Sequence, residues 1–351
     1  MDTAWTSAFC PEPSAHYKAL AEHRQTQLTK PAGSLGRLEQ LAIDLAALQH
    51  TERPRADRAP IIVFAGDHGV TAQGVSAFPS EVTVQMLANF ASGGAAIAVL
   101  ARELGQTLTV IDAGTLAAEP MAGVLTDKPC RGTRDFSQEA ALEPAELEHA
   151  LGCGQRAVQR IGGAADLLLL GEMGIGNTTS AAAIVCALTG DDPAAVAGAG
   201  TGLDSADQRR KAEVIARGLR RHGLAKGEGA PEDVLCAVGG LEIAAMTGAI
   251  IAAAQQGIPV LIDGFIVSAA ALAAVRINPA CRAWMIFSHR SAERGHRVVL
   301  DALAAEPLLD LNLRLGEGSG ADLALPLVRL ACALHNGMAT FAEAAVANRS
   351  R

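Results

Sequence analysis

Residues 166–188 read DLLLLGEMGIGNTTSAAAIVCAL and contain the pattern on which the fold depends. The four leucines at 167–170 are typical of a parallel strand that is covered on both faces. The alanine-rich segment that starts at Asn177 predicts a helix. The glycines between them permit a tight connection. A strand, a glycine-rich turn and a helix form the repeating unit of a parallel α/β sheet.

Short apolar runs alternate with alanine-rich helical stretches along most of the chain. The predicted strands are 61–65, 108–112, 166–170, 234–238, 259–263 and 284–287. The predicted helices between them are 81–102, 142–161, 177–188, 205–222, 241–256 and 266–276. This alternation predicts an α/β fold with a doubly wound parallel sheet.

The two ends of the chain have a helical pattern without strands. Leucines recur at helical spacing within residues 1–50, at 35, 38, 41, 45 and 48, and residues 321–347 also have a helical pattern. We expect these terminal helices to form a small bundle beside the sheet. Residues 117–145 are a mixed loop region and 224–232 a polar connection.

Composition excludes several classes of protein. Half of the 351 residues are hydrophobic but only 3% are aromatic, and the net charge is -8 without a basic stripe, so nucleic acid is not an expected partner. The seven cysteines form no CxxC pair and indicate buried thiols in a reducing compartment. Ile243 to Val260 comes closest to a membrane-spanning run, and Gly248 and Pro259 interrupt it. These features predict a soluble cytoplasmic protein with no membrane partner.

Polar side chains follow several of the predicted strands. Asp67-His68, Glu172, Asp263 and Ser288-His289-Arg290 each come directly after an apolar run. Because the carboxyl ends of parallel strands meet at one edge of the sheet, we expect these groups to converge there.

Two glycine-rich turns are candidate phosphate sites. Residues 171–179 open a helix whose free N–H groups can bind phosphate, although Asn177 or Thr178 capping the helix would explain the same pattern. Residues 198–202 precede a second helix that carries Lys211, for which a solvated position is the alternative. Asp263 beside Gly264 is placed to accept hydrogen bonds from ribose hydroxyls or to cap a helix.

Glu317 is isolated among small residues in the stretch LGEGSG, residues 315–320. A glutamate on an ordinary surface prefers a helix, in which these glycines would be costly. The pattern therefore favours a carboxylate that is directed at a ligand, and the alternative is a solvated glutamate in a glycine-rich turn.

The motifs together resemble the nicotinate-nucleotide–dimethylbenzimidazole phosphoribosyltransferase family. The matching stretches cover about residues 30–345, and Asp322 departs from the small neutral residue that is more usual there. They are KPAGSLGRLE from Lys30, FAGDHGVTAQGVSAFP from Phe64, GEMGIGNTT from Gly171, GAGTGLD from Gly198, GGLEIAAM from Gly239, DGFIVSAAAL from Asp263, SHRSAERGH from Ser288 and RLGEGSGADLA from Arg314.

The resemblance implies a homodimeric transferase that needs no metal or cofactor. Its substrates are nicotinate mononucleotide and a benzimidazole. It implies a Rossmann-like large domain, residues 55–310, and a small helical domain, residues 1–54 and 311–351, that carries Glu317. The implied catalytic residues are Glu317 as general base, with Glu172 and Asp263. The implied phosphate and nucleotide contacts are Gly174, Gly176, Asn177, Thr178, Gly202, Lys211, Gly264 and Ser291. The implied base-pocket residues are Ala77, Phe78, Gln85, Met173 and Leu315.

Two other functions stay open at this point. One is a metal-dependent phosphatase that uses Asp67, His68 and Asp263, although no HExxH spacing or nearby cysteine supports a metal site. The other is a non-catalytic nucleotide or benzimidazole sensor. The sequence does not identify which base is used, because one methyl group changes selectivity in an apolar pocket by only about 1–3 kcal/mol.

Overall fold

The computed structural model describes residues 3–200, 202, 204–225 and 227–347. Within these residues, six strands form one parallel sheet in the order β3-β2-β1-β4-β5-β6. The strands are β1 (Ile61–Gly66), β2 (Leu108–Gly114), β3 (Leu125–Thr126), β4 (Leu168–Met173), β5 (Val260–Ile262) and β6 (Met285–Phe287). This confirms the predicted parallel α/β sheet.

The helices connect the strands and cover both faces of the sheet. They are α1 (Ala15–Gln27), α2 (Arg37–Leu48), α3 (Glu81–Ser92), α4 (Ala96–Glu103), α5 (Pro144–Ile161), α6 (Asn177–Thr189), α7 (Pro193–Val196), α8 (Ser205–Arg221), α9 (Pro231–Val238), α10 (Leu241–Gln255), α11 (Phe265–Ile277), α12 (Arg294–Ala302) and α13 (Ser319–Gly337). Short 3₁₀ helices occupy Ala4–Ser7, Gly69–Gln73, Gly162–Ala164 and Pro279–Trp284.

The central strand β1 is buried on both faces, and its side chains alternate between two cores. Ile62 and Phe64 belong to a large core built mainly from α5, α6 and α8–α11. Ile61, Val63 and Ala65 belong to a second core that includes residues of α2, α3, α4 and α13. The alternation follows from the two-residue period of a strand. It explains why the strand sequences are almost continuously apolar.

The order of the strands reverses between β1 and β4. The chain moves outward from β1 through β2 to β3 on one side and from β4 through β5 to β6 on the other. In such a sheet a crevice opens beyond the carboxyl ends of the two central strands, and ligands bind there. The topology therefore brings together the polar residues that follow β1, β4 and β5.

The predicted strand at 234–238 is wrong, because this segment forms the end of α9. Pro231 occupies the first turn of α9, and Glu232 and Asp233 follow it. Proline at a helix start and acidic residues in the first turn both favour a helix. The apolar run Val234–Val238 is buried, as a strand would be, so burial alone did not distinguish the two. Conversely, the short strand β3 lies inside the predicted loop region 117–145.

The predicted helix at 81–102 is two helices, α3 and α4, separated by Gly93 in a left-handed conformation. By length and composition alone, Glu81–Glu103 is apolar enough to cross a membrane, and only 33% of its apolar 18-residue stretch is buried in the fold. This stretch, and not 243–260, is therefore the longest apolar helical candidate in the described chain. Each separate helix is shorter than the about 20 residues that a span requires.

Both ends of the described chain are helical, with differences in extent. The prediction of helix over 1–50 corresponds to α1 and α2, and that over 321–347 corresponds to α13, which ends at Gly337. Arg24 joins α1 to α13 by donating to the backbone oxygens of His335, Asn336 and Met338. The division into two domains stays a prediction, and its outermost residues, 1–2 and 348–351, lie outside the described part. The seven cysteines are free thiols, of which five are buried as expected, whereas Cys130 and Cys236 are half-buried.

Candidate active site

A cavity of about 390 Å³ lies at the carboxyl ends of β4 and β5. This size is within the range of small-molecule sites. The predicted site residues in its wall are Phe78, Glu172, Met173, Gly174, Asn177, Thr178, Asp263, Gly264, Ser291, Leu315 and Glu317. Ile175, Gly200 and Gly316 also line it and belong to stretches that the sequence analysis singled out as a whole, whereas Val82, Met86, Phe265, Ile266, Val267, Glu293 and Arg314 were not proposed as site residues. Most of these seven are apolar and come from α3 and α11, so helical periodicity alone gave no reason to single them out.

Glu317 is held in the wall by its own backbone and by a helix start. Its φ is +65°, in the left-handed region that non-glycine residues seldom adopt. Its Oε2 accepts a hydrogen bond from the backbone N–H of Ile97 in the first turn of α4, at 3.3 Å. Burial raises the pKa of this carboxyl, and the backbone N–H groups of Ile97 and Ala96 oppose that rise. The glutamate is therefore fixed and is more basic than a solvated one.

Gly171, in the middle of β4, allows the backbone of Glu317 to approach the sheet. A Cβ atom at position 171 would lie 2.5 Å from the backbone nitrogen of Gly318 and still nearer the carbonyl group of Glu317. A side chain at Gly316 would overlap the carboxylate of Glu172. Close approach to backbone thus requires glycine at 171, whereas at 316 the left-handed φ of +87° favours it, and the isolated sequence motif revealed neither.

Glu172 lies near the end of β4 as a buried carboxyl group beside the cavity. Its Oε2 accepts a hydrogen bond from the side-chain amide of Asn177. Burial, and then the nearby carboxylates of Glu242 and Asp263, raise the pKa of Glu172 to about 8. Glu172 is therefore protonated at neutral pH.

The alternative that Asn177 or Thr178 caps α6 is wrong, because Gly176 occupies that position and no side chain caps the helix.

Asp263 follows β5 and is almost completely buried. Its Oδ1 accepts from the backbone N–H of Ala321, in the first turn of α13, at 2.9 Å. The Nδ1 atom of His289 lies 3.6 Å from the same oxygen. Burial raises the pKa of Asp263, and His289 acts against this. The residue thus lines the cavity and also ties the start of α13 to the sheet.

One more buried carboxylate, Glu242, lies outside the cavity wall. Glu242 Oε1 is 2.7 Å from Nε2 of His68, whose Nδ1 is 3.0 Å from the hydroxyl of Ser180. These two hydrogen bonds confine His68 to a buried position. No three His, Cys, Asp or Glu side chains in the described residues are grouped as metal ligands. Asp67, His68 and Asp263 therefore do not form the set that the phosphatase alternative used.

Lys211 is fully buried on α8, so the solvated alternative is wrong. Its Nζ donates to Oγ1 of Thr178 at 2.7 Å, and Thr178 lines the cavity. Burial lowers the pKa of Lys211 to about 8, and the carboxylate of Glu293 opposes this shift. The guanidinium of Arg314 donates to the backbone oxygen of Gly200 at 3.2 Å, and Gly200 lies next to the ammonium of Lys211. Arg314 lies in the cavity wall, whereas the ammonium of Lys211 lies behind Thr178 and outside the wall.

The remaining predicted contacts lie at different distances from the cavity. Phe78 and Leu315 are 50% and 60% exposed at its rim. Ala77 and Gln85 are exposed, and they do not belong to its wall. Gly202 is also exposed and outside the wall, and its neighbours Thr201 and Leu203 lie outside the described residues.

Gly176 and Ser291 illustrate how the turns are shaped. Gly176 has a φ of +94°, and a Cβ atom there would lie 2.7 Å from Thr71 and 3.2 Å from His68.

The backbone N–H of Ser291 donates to Nδ1 of His296 at 2.8 Å, so this nitrogen carries no proton. Burial lowers the pKa of His296 to about 3. A neutral histidine therefore positions the Ser291 turn against the cavity.

Comparison with known proteins identifies the family. The family model described as "Phosphoribosyltransferase" matches residues 10–346. A protein of Bradyrhizobium sp. strain ORS 278, named nicotinate-nucleotide–dimethylbenzimidazole phosphoribosyltransferase, is 64% identical over 346 residues, which are 98% of each chain. The chain belongs to this phosphoribosyltransferase family.

More distant members of the phosphoribosyltransferase family have the same name and fold. A Pseudomonas aeruginosa PAO1 protein with that name is 55% identical over 351 residues, 99% of each chain. A crystal structure of the Thermus thermophilus enzyme superposes with a TM-score of 0.90 at 44% identity, covering 96% of this chain and all of that one. A second structure from that organism, titled CobT, gives a TM-score of 0.91 at 45% identity and covers 95% of this chain and all of that one. These likenesses confirm the resemblance stated from the motifs.

Proposed function

We propose that the chain transfers the phosphoribosyl group of nicotinate mononucleotide to 5,6-dimethylbenzimidazole, giving α-ribazole 5′-phosphate and nicotinate. The observation that carries this proposal is the arrangement of the cavity. A fixed carboxylate, Glu317, lies in the wall of a cavity that also has an apolar region and the guanidinium of Arg314, with the Lys211 ammonium directly behind Thr178. Such an arrangement suits one flat base and one phosphorylated sugar. The named relatives, at up to 64% identity, support the same substrates.

Glu317 is proposed as the general base. As one ring nitrogen of the benzimidazole attacks the ribose carbon, its other nitrogen loses a proton, which the carboxylate takes up. Such help contributes about 10²–10⁴-fold. The raised pKa of Glu317 supports this role, because a stronger base is closer to the working pH. The N–H of Ile97 holds Oε2 and so fixes the carboxylate in the cavity wall.

Nicotinate leaves with the bonding electrons of the glycosidic nitrogen bond and needs no proton, because its ring nitrogen was positively charged. Positive charge develops at the ribose during this step. Asp263 and the carbonyl dipoles of the crevice are proposed to stabilise that charge. Glu172, protonated below its pKa of about 8, is proposed to donate a hydrogen bond and not to act as an anion. Attack from the opposite face inverts the configuration of the sugar.

The phosphate is proposed to lie beside Lys211 and the turn that contains Gly174. Lys211 makes one described hydrogen bond, to Thr178, and an ammonium has three donors. Two donors therefore remain for phosphate oxygens. Ser291 and Gly264 lie across the cavity and are proposed to contact the nucleotide. Gly176 and Gly202 are proposed to act by shaping the adjacent turns.

The benzimidazole is proposed to lie in the apolar part of the cavity. Phe78, Met173 and Leu315 were expected there, and the side chains of Val82 and Met86 on α3 extend the same surface. An apolar slot with few polar groups suits a flat, dimethylated ring. Ala77 and Gln85 are proposed to contact the base only when the exposed rim is covered.

A homodimer is proposed on the basis of an apolar surface. One face of α13 carries Leu323 and Leu330, which are 38% and 54% exposed, with Leu327 and Leu334 half-buried between and after them. This spacing of three and four residues forms a continuous apolar stripe along the helix. An exposed apolar patch of this kind marks an interaction surface. A second copy of the chain is proposed to cover it, in the cytoplasm.

The dimer is tested by Leu330→Glu, with Glu213→Gln on the exposed face of α8 as the matched control. We expect sedimentation velocity to give a dimer for the unchanged chain and the control, and a monomer for the variant. A wild-type chain that sediments as a monomer would remove the proposal.

The transferase activity is tested with purified protein, nicotinate mononucleotide and 5,6-dimethylbenzimidazole in metal-free buffer, with both products followed by chromatography. Equal amounts of nicotinate and α-ribazole 5′-phosphate are expected. Nucleotide binding without products would favour the sensor. Inorganic phosphate released only after metal is added would favour a phosphatase.

A further inference from the structure

Glu293 is a buried carboxylate in the SHRSAERGH stretch, and the proposed reaction gives it no role. It precedes α12, is 8% exposed and forms part of the cavity wall. Its Oε2 has no hydrogen-bond partner in the described part of the chain. A Cβ atom on Gly198 would overlap this oxygen, so the carboxylate lies directly against the 198–200 turn. A buried, unpaired carboxylate is costly and calls for a physical reason.

Lys211 lies against the same turn. A Cβ atom on Gly200 would be 3.3 Å from Nζ of Lys211, and this nitrogen donates to Thr178. The two glycines therefore touch opposite charges, Gly198 the carboxylate of Glu293 and Gly200 the ammonium. No ion pair within 4 Å joins Glu293 to Lys211 among the described residues. The charges are close enough to interact and too far apart to neutralise each other by direct contact.

Few other charges face this ammonium. The helices α6 and α7, which pack against α8, contain no Asp, Glu, Lys, Arg or His. On α8 itself, Asp207 pairs with Arg210 near the surface. Arg314 donates to the oxygen of Gly200, so its guanidinium lies on the other side of the same turn. Glu293 is the carboxylate that opposes loss of the lysine charge on burial.

We propose that Glu293 is a positioning residue that keeps Lys211 in its charged form while leaving its N–H groups free for the substrate phosphate. This inference rests on the proposed function for the identity of the ligand. A direct ion pair would hold the ammonium but would occupy the donors that the phosphate needs. A carboxylate behind the 198–200 turn supplies the favourable field without occupying them. Substitution by glutamine keeps the shape and removes that field.

The first test uses the protein alone. The chain contains five lysines, at 18, 30, 128, 211 and 226, so ¹³Cε-lysine labelling gives a simple NMR spectrum in which Lys211→Met assigns the buried signal. We expect Lys211 to titrate near pH 8 in the unchanged chain. In Glu293→Gln the midpoint should fall by at least about one pH unit. Glu213 is an exposed residue on the same helix, so the Lys211 midpoint should not move in Glu213→Gln.

The second test measures kcat/KM for nicotinate mononucleotide between pH 6 and 10. At a pH above both midpoints, lowering the Lys211 midpoint by one unit removes about nine-tenths of the remaining ammonium. The kcat/KM of Glu293→Gln should therefore be about tenfold below that of the unchanged chain at pH 9 and nearly equal to it at pH 6. An equal loss at every pH would assign Glu293 a merely structural role. An unchanged NMR midpoint would overturn the inference whether or not the transferase is active. An NMR shift without any transferase activity would overturn only the proposed function.

Discussion

Replacing Gly171 with alanine tests whether the sheet positions Glu317. The added Cβ would lie 2.5 Å from the nitrogen of Gly318, whereas ordinary contacts begin near 3.4 Å. The 316–318 turn must therefore move by about 1 Å, away from β4. A displacement of this size at a reacting group costs about 10²-fold in rate, or about 2.7 kcal/mol of barrier. We expect kcat to fall by about that factor.

The assay follows nicotinate release at saturating nucleotide and benzimidazole, together with thermal unfolding. Overpacking of this kind costs about 1–3 kcal/mol of stability, so the variant should fold with a lower melting temperature. Gly163→Ala is the matched control, because position 163 has a φ of -67° and nothing within 4 Å of an added Cβ. A folded Gly171→Ala protein with the kcat of the control would refute the argument that close approach at Gly171 sets the position of Glu317.

Three further outcomes follow from the site. Glu317→Gln should reduce turnover by about 10²–10⁴-fold while nucleotide affinity, measured by calorimetry, stays within a few-fold, and full turnover would remove the base assignment. Glu172 has a raised pKa, so the stability it contributes is present at low pH and is lost as pH rises through about 8. Between pH 6 and 9, the free energy of unfolding in urea should therefore fall by about 3 kcal/mol more for the unchanged chain than for Glu172→Gln. If the free energies of the two proteins change with pH in parallel, Glu172 is not a buried, protonated group. Chelator treatment should leave transferase activity unchanged, and a loss that added metal restores would favour metal-assisted chemistry.

Local pattern predicted most of the sheet. The strands were recognisable because a strand covered on both faces must be apolar at every position, as Leu168–Leu170 are. The same rule failed at Val234–Val238, where a buried helix is equally apolar and Pro231 was the contrary signal. The break between α3 and α4 depends on Gly93 and Gly94, and composition alone made the whole stretch look continuous.

The candidate site was predicted unevenly for a physical reason. Residues at strand ends, such as Glu172 and Asp263, were found because parallel topology brings strand ends to one edge. Glu242 and Glu293 lie in the first turn of α10 and just before α12, and nothing in their neighbouring residues distinguishes them from ordinary helix-start glutamates. Their burial depends on which other segments cover them.

Sequence sufficed for the class of fold, the family and the position of the glycine-rich turns, because these depend on local periodicity, on residue size and on motifs that are contiguous along the chain. The electrostatic state of the site depended on tertiary structure. Glu172 is protonated and Lys211 is buried and weakly basic because distant segments exclude water from them and bring other charges near. Desolvation and Coulomb interactions act through space, and the sequence does not contain those distances until the chain is folded.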